Sequence, residues 1–317
     1  MQKIIVTMMA LALTVSTQVQ AQEDGGLADL KAAMIAAKIH QDSIDTSSLV
    51  AVYDYECHTQ DADGQAVTDR MKLCLLVGQH CTRCFPYRKF RKEREWAEGK
   101  EQAATDFLGL KAREYLGGYD FLSEEELPLL RSESYCMMPE VWTNYPDGKT
   151  TVRDAIPPSI YETREVRRPI HWSLTDNTVT IGGYLCKTAT CQLHGRQWTV
   201  RYCEDIPTTA GPWKLCGLPG LIVEAEADGI HRFTLTDLQH ATAPIYYETS
   251  AITSKTSEEK LIKNRNKTFG NRLYPKNPHY YIADLHSADT AYDNGGMLIN
   301  GVYVHDKAHV YQPLEKE

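Results

Sequence analysis

Between residues 135 and 240, apolar side chains recur at every second position, and short turn sequences cut the runs apart. This pattern constrains the fold more than any other feature of the chain. A two-residue period puts alternate side chains on opposite faces of a strand, whereas a helix requires 3.6. Val141 to Tyr145 meets the turn Pro146-Asp147-Gly148, and Thr150 to Val152 leaves it. Ile170, Trp172 and Leu174 alternate. Val179 and Ile181 begin a run expected to pass through Gly182-Gly183 into Tyr184-Leu185-Cys186. His194-Gly195-Arg196 reads as a tight turn, after which Trp198, Val200 and Tyr202 share a face. Leu221, Val223 and Ala225 lead to Asp228-Gly229, a strong hairpin signal, and Phe233 and Leu235 return. The expected core of the fold is therefore an antiparallel meander.

Upstream, Leu49, Ala51, Tyr53 and Tyr55 alternate with polar neighbours, and Met71, Leu73, Leu75 and Val77 mark a second strand across a turn at Asp61–Gly64. Leu27, Leu30, Met34, Ile35 and Ile39 have helical spacing, which predicts an amphipathic helix over 26–45. Residues 88–118 have helix-forming composition and stop at Gly117-Gly118. The fold class expected is mainly β (α+β): one curved antiparallel sheet or half-barrel packed against helix. The expected layout is a leader over 1–21, a β domain with an N-terminal helix and an inserted helix over 22–250, and a polar, solvated extension over 251–317.

The first 21 residues carry one Lys, an apolar stretch from Ile4 to Leu13 and a small-residue end at Ala21. This is the layout of a secretory signal peptide, and its apolar core is well short of the roughly 20 residues of a spanning helix. The mature protein is expected to be periplasmic or secreted and not membrane-spanning. The net charge of −8, made more negative by loss of Lys3, argues against nucleic acid as partner. The basic run from Arg83 to Arg94 reads as a solvated helix face. Nine cysteines in an exported chain predict some disulfides and at least one thiol left over. The hairpin register around Gly195 brings Cys186 and Cys203 together as a candidate pair.

The stretch GPWKLCGLPGLI, residues 211–222, spells neither a Walker loop nor a dinucleotide turn, and a strand rather than a helix follows it. It reads as a structural turn. Pro212 and Pro219 fix φ, Gly217 and Gly220 permit positive φ or close backbone approach, and Trp213 and Leu215 are available to plug an apolar end. These residues resemble the signature of the GLPGLI family, exported proteins of Bacteroidetes. The resemblance rests on Gly211, Pro212, Trp213, Gly217, Leu218, Pro219, Gly220 and Leu221, with Tyr184 and Cys186 upstream and Gly195-Arg196 in the intervening turn. It covers about residues 135–240; Lys187-Thr188-Ala189 departs from the family's spacing, and Leu215-Cys216 stands where an aromatic is usual. The resemblance implies a periplasmic or outer-membrane-associated setting and brings no catalytic residues. The helix–meander pattern is also similar to the lipoprotein-carrier fold, in which a curved sheet surrounds an apolar cavity.

No catalytic residue, metal ligand or cofactor is assigned: neither H-E-x-x-H nor G-x-S-x-G occurs. Cys81-Thr82-Arg83-Cys84 has redox spacing without a surrounding βαβ pattern. The His and Asp residues over 279–309 form no regular ligand pattern. Three functions stay open. One is a non-enzymatic carrier with Trp172, Trp198, Tyr202 and Trp213 lining an apolar cavity. Another is an envelope-assembly protein docking through a sheet edge. The third is a metal- or thiol-dependent enzyme.

Overall fold

The computed structural model describes residues 40–61, 63–97, 138–156, 159–249, 253–270 and 309–316, with short strands at 273–274, 290–293, 296–299 and 302–305. Thirteen strands build one large curved sheet that does not close. They are β1 (His40–Gln60), β2 (Ala66–Gly78), β3 (Thr82–Pro86), β4 (Glu140–Thr143), β5 (Lys149–Ile156), β6 (Ser159–Val166) and β7 (Ser173–Ile181). After them come β8 (Tyr184–Leu193), β9 (Arg196–Cys203), β10 (Leu221–Ala227), β11 (His231–Gln239), β12 (Pro244–Thr249) and β13 (Thr253–Lys255). The spatial order is β13-β6-β5-β4-β3-β2-β1-β11-β10-β9-β8-β7, with β12 paired to the first part of β1. Every pair in it is antiparallel except β13 with β6. Among the described residues, two helices, α1 (Tyr87–Ala97) and α2 (Glu258–Gly270), pack on it.

The alternation read from β1 and β2 determines which residues meet. Tyr53 lies opposite Leu73 and Ala51 opposite Leu75. With Tyr55 and Cys57 they enter the larger core, joined by Trp198, Val200, Tyr202, Phe233 and the motif residues Trp213, Leu215 and Leu218. The opposite parity, Val50 with Cys74 and Leu76, enters a smaller core with Phe85, Phe90, Trp142 and Ile245. The central strands are thus apolar on both faces, as a sheet covered on both sides requires.

Turn chemistry places most of the hairpins. His194 and Gly195 both have positive φ and close β8–β9, and Asp228 and Gly229 do the same for β10–β11 in a three-residue loop. Four expectations are corrected. Gly182-Gly183 is a turn, both residues with positive φ, and it separates β7 from β8 instead of continuing one strand. Ile170 and Trp172 lie in irregular chain before β7. The helix expected over 26–45 does not extend to its end, because His40–Asp45 belong to β1 and pair with β12; its earlier part lies outside the described residues. The segment after residue 250 is not simply solvated: β13 pairs with β6, α2 packs on β5 and β6, and Leu314 and Glu315 are buried. Of the helix expected over 88–118, α1 supplies the start, and residues 98–118 lie outside the described residues, as does the leader.

Candidate functional site

Among the described residues, two places concentrate chemistry. The first is built on α1. The basic run that precedes and forms this helix is not a solvated face throughout, since Arg83 and Lys89 are buried. Arg83 on β3 makes a two-pronged bond to Glu93 of α1, 2.8 and 3.0 Å, and a third contact of 2.9 Å to Glu140 on β4. Lys89 also binds Glu140. The Arg83 guanidinium lies 3.7 Å from the centroid of the Phe85 ring. Burial works against its charge, but Glu93 and Glu140 outweigh burial and hold its pKa above the ordinary value. This knot fixes α1 over the sheet. Between the helix and the approach to β12 it leaves a cavity of about 290 Å³. Val50 and Val52 of β1, Tyr87 and Phe90 of α1, and Ala243 and Pro244 provide its apolar walls, with Arg94 and Asp237 among its polar ones. That volume is at the lower end of the range for small-molecule sites.

The second place is the motif loop. Trp213 has φ 56°, a left-handed conformation uncommon outside glycine, and is 1% exposed. Its ring lies 5.5 Å from that of Trp198 and 5.5 Å from that of His194. Its backbone N–H donates to Cys84 Sγ at 3.1 Å. Gly217 has φ 97°, whereas a Cβ on Gly220 would stand 2.2 Å from the carbonyl oxygen of Cys203. One glycine therefore serves conformation and the other close approach. The adjacent Lys214 sends its ammonium 2.7 Å from Glu258 Oε1 and 3.4 Å from His194 Nε2, and binds Glu315. Arg265 of α2 donates to Glu315 at 2.7 Å and to Asp154 of β5 at 2.5 Å. Burial alone would raise the Glu315 pKa; Lys214, Arg265 and His194 reverse that and bring it to about 2. His194, Glu258 and Glu315 present ligand atoms all within 4.8 Å of one another, the spacing of a metal site. The Lys214 ammonium, bonded to both carboxylates, supplies the positive charge at that point, so a metal ion would have to expel it.

The residues named from sequence fall mainly in this second region. Trp198, Tyr202 and Trp213 are core side chains, and Trp172 packs partly buried against them while donating to the Cys216 carbonyl at 3.1 Å. None of the four lines the cavity under α1. Cys186 and Cys203 are free and buried, so the expected disulfide is absent, although Lys187 opposite Tyr202 sets them as the next cross-strand pair. The other described cysteines are free as well, and Cys136 lies outside the described residues. Burial pushes the thiols of Cys57, Cys81, Cys84 and Cys191 up to about 12 and that of Cys186 to about 11. A reactive thiol requires the opposite shift. Cys81 and Cys84 flank the start of β3 and do not open a helix. The buried His231, bonded to Tyr55 Oη at 2.8 Å, is brought down to about 3 by burial and by Arg196, and stays neutral. Most of the His and Asp residues over 279–309 lie outside the described residues. The sequence pattern missed the cavity, because its walls come from three segments with no shared motif. The pairing of charges inside the run Arg83 to Glu93 was the signal available.

No family model matches this chain, and no curated protein matches it. Two solved chains described as PNGF-II, in P21 and C2 space groups, are similar at 12% identity each. They cover 71% and 69% of this chain with TM-scores of 0.41 and 0.37. This chain spans about a third of their length, 34% and 33%. Likeness at this level carries no argument about function.

Proposed function

We propose that this chain is an exported binding or carrier-type protein of the GLPGLI kind, and that it holds a small apolar ligand in the cavity under α1. The observation that carries the reading is the cavity itself, about 290 Å³ walled by Val50, Val52, Tyr87 and Phe90. Apolar walls with a few polar groups among them are what a small-molecule site requires. The raised thiols and the lysine at the centre of the His–Glu cluster favour this reading over a thiol or metal enzyme. Titration with the fluorescent probe N-phenyl-1-naphthylamine tests it. One probe should bind per chain, and Ala243→Trp, which fills the cavity, should abolish binding while the chain still melts cooperatively. Equal binding by the wild type and the filled variant would refute the site.

Docking through a sheet edge is the second reading. It is favoured by Leu174 (62% exposed) on the edge strand β7 and by Leu185 (62% exposed) on its neighbour β8. Asp176 and the register shift between Leu174 and Thr178 interrupt that edge, devices that discourage strand addition. Chemical cross-linking in envelope extracts should capture a partner through β7 if this reading is right, and none if it is wrong.

A further inference from the structure

Residues 311–316, Tyr-Gln-Pro-Leu-Glu-Lys, add no strand to the sheet. They are held mainly by side chains, in the way a separate peptide is held. Arg196 donates through Nε to the carbonyl oxygens of Pro313 and Leu314 at 3.0 and 3.2 Å, and through Nη2 to Pro313 again. Its Nη1 is steadied by Asp228 at 2.7 Å. Asn266 of α2 donates to the Glu315 carbonyl at 3.0 Å, and the Lys316 N–H donates to the His194 carbonyl at 3.0 Å. The Leu314 side chain enters the larger core, and the Glu315 carboxylate enters the cage of Lys214 and Arg265. The Lys316 ammonium reaches Asp228 at 3.0 Å. One apolar anchor, one buried carboxylate in a two-cation cage and side-chain readers on the backbone make a sequence-specific groove.

The connection to this segment is long. The sequence places 39 residues between Gly270, the end of α2, and Val310. That length spans up to about 130 Å when extended. Yet Asn266, within the last turns of α2, already touches both Glu315 and Tyr311. The two ends of the connection therefore meet on one patch. Leu273 and Tyr274, just past α2, pair with Val310 and His309, so the main-chain tie leading into the groove is a two-residue ladder that the same segment of a second copy can form equally.

We propose that this groove is a recognition site for an extended Pro-Leu-Glu-Lys segment, and that it accepts the 310–316 segment of a second copy of this chain as well as its own. Exchange between copies reproduces every contact described above, so the closed monomer and the exchanged dimer differ mainly in the cost of association.

The probe is a fluorescent peptide spanning Val310 to Lys316, acetylated and amidated so that end charges play no part. Full-length protein carrying Leu314→Ala and Glu315→Gln, whose own segment is weakened, should bind it saturably, one per chain, in an anisotropy titration. The wild type should bind it more weakly because its own segment competes. A peptide with Gln in place of the Glu should bind at least tenfold more weakly, as expected for loss of a charge-assisted contact. If the double variant keeps the wild-type near-ultraviolet dichroism but does not distinguish the two peptides, the groove is not a recognition site. If the double variant does not fold, excess peptide added to the wild type should raise hydrogen exchange at residues 311–316 and leave β2 unchanged; no change overturns the proposal. Sedimentation equilibrium tests the second copy. The wild type should form a dimer as concentration rises, and free peptide should dissolve it. A strict monomer at every concentration refutes exchange between copies.

Discussion

Glu315 offers the sharpest perturbation, because the structure sets both the sign and the size of its effect. Its carboxylate is fully buried between Lys214 and Arg265, and its pKa falls from the ordinary 4.5 to about 2. A carboxyl depressed on folding stabilises the folded state above its unfolded pKa. That stabilisation is lost as pH falls from about 4.5 through about 2. The gap corresponds to about 3 kcal/mol. Glu315→Gln keeps the shape and removes the charge, leaving two buried cations short of a partner, at a cost of about 3–5 kcal/mol at pH 7. Urea unfolding followed by tryptophan fluorescence at several pH values between 7 and 2 measures both quantities. The wild type should lose about 3 kcal/mol more than the variant on acidification. Parallel profiles would show that this carboxylate does not hold the junction together, and unchanged stability of the variant at pH 7 would refute the argument outright.

The two motif glycines should separate by mechanism. Gly220→Ala, which drives a Cβ to 2.2 Å from the Cys203 carbonyl, should cost more than the roughly 1–3 kcal/mol usual for overpacking, whereas Gly217→Ala should cost only about 1–2 kcal/mol for its left-handed backbone; equal melting temperatures would contradict this. The buried thiols should resist labelling by Ellman's reagent at pH 8 in the native protein and react once it is unfolded, and rapid native labelling of Cys84 would contradict their burial.

Alternation and turn chemistry are local properties, and what depends on them was legible in the sequence. The parity of Tyr53 and Leu73, the turn at His194-Gly195 and the turn at Asp228-Gly229 follow from a two-residue period and from residues that tolerate positive φ. The motif glycines were readable as conformationally special, but not which of them served φ and which served close approach, since that depends on Cys203 lying behind Gly220. The strand β6 passed unseen because Ser159–Val166 carries charge on several positions, and Arg153 and Tyr247 arrive from elsewhere to satisfy Glu162. Gly182-Gly183, expected to continue a strand, carried a two-residue hairpin signal in its own residues, since two glycines supply the positive φ that such a turn needs. Burial of charge was the least visible feature. Arg83, Lys89, Lys214, Arg265 and Glu315 are residues that stay in water when alone. Only partners 10 to 111 positions away in sequence make their burial tolerable. The sequence by itself determined most of the strands, though not β3, β6, β12 or β13, together with most of the turns and the sides of the sheet. The tertiary structure decided the cavity under α1 and the groove for residues 311–316, because both are assembled from segments that the chain order keeps apart.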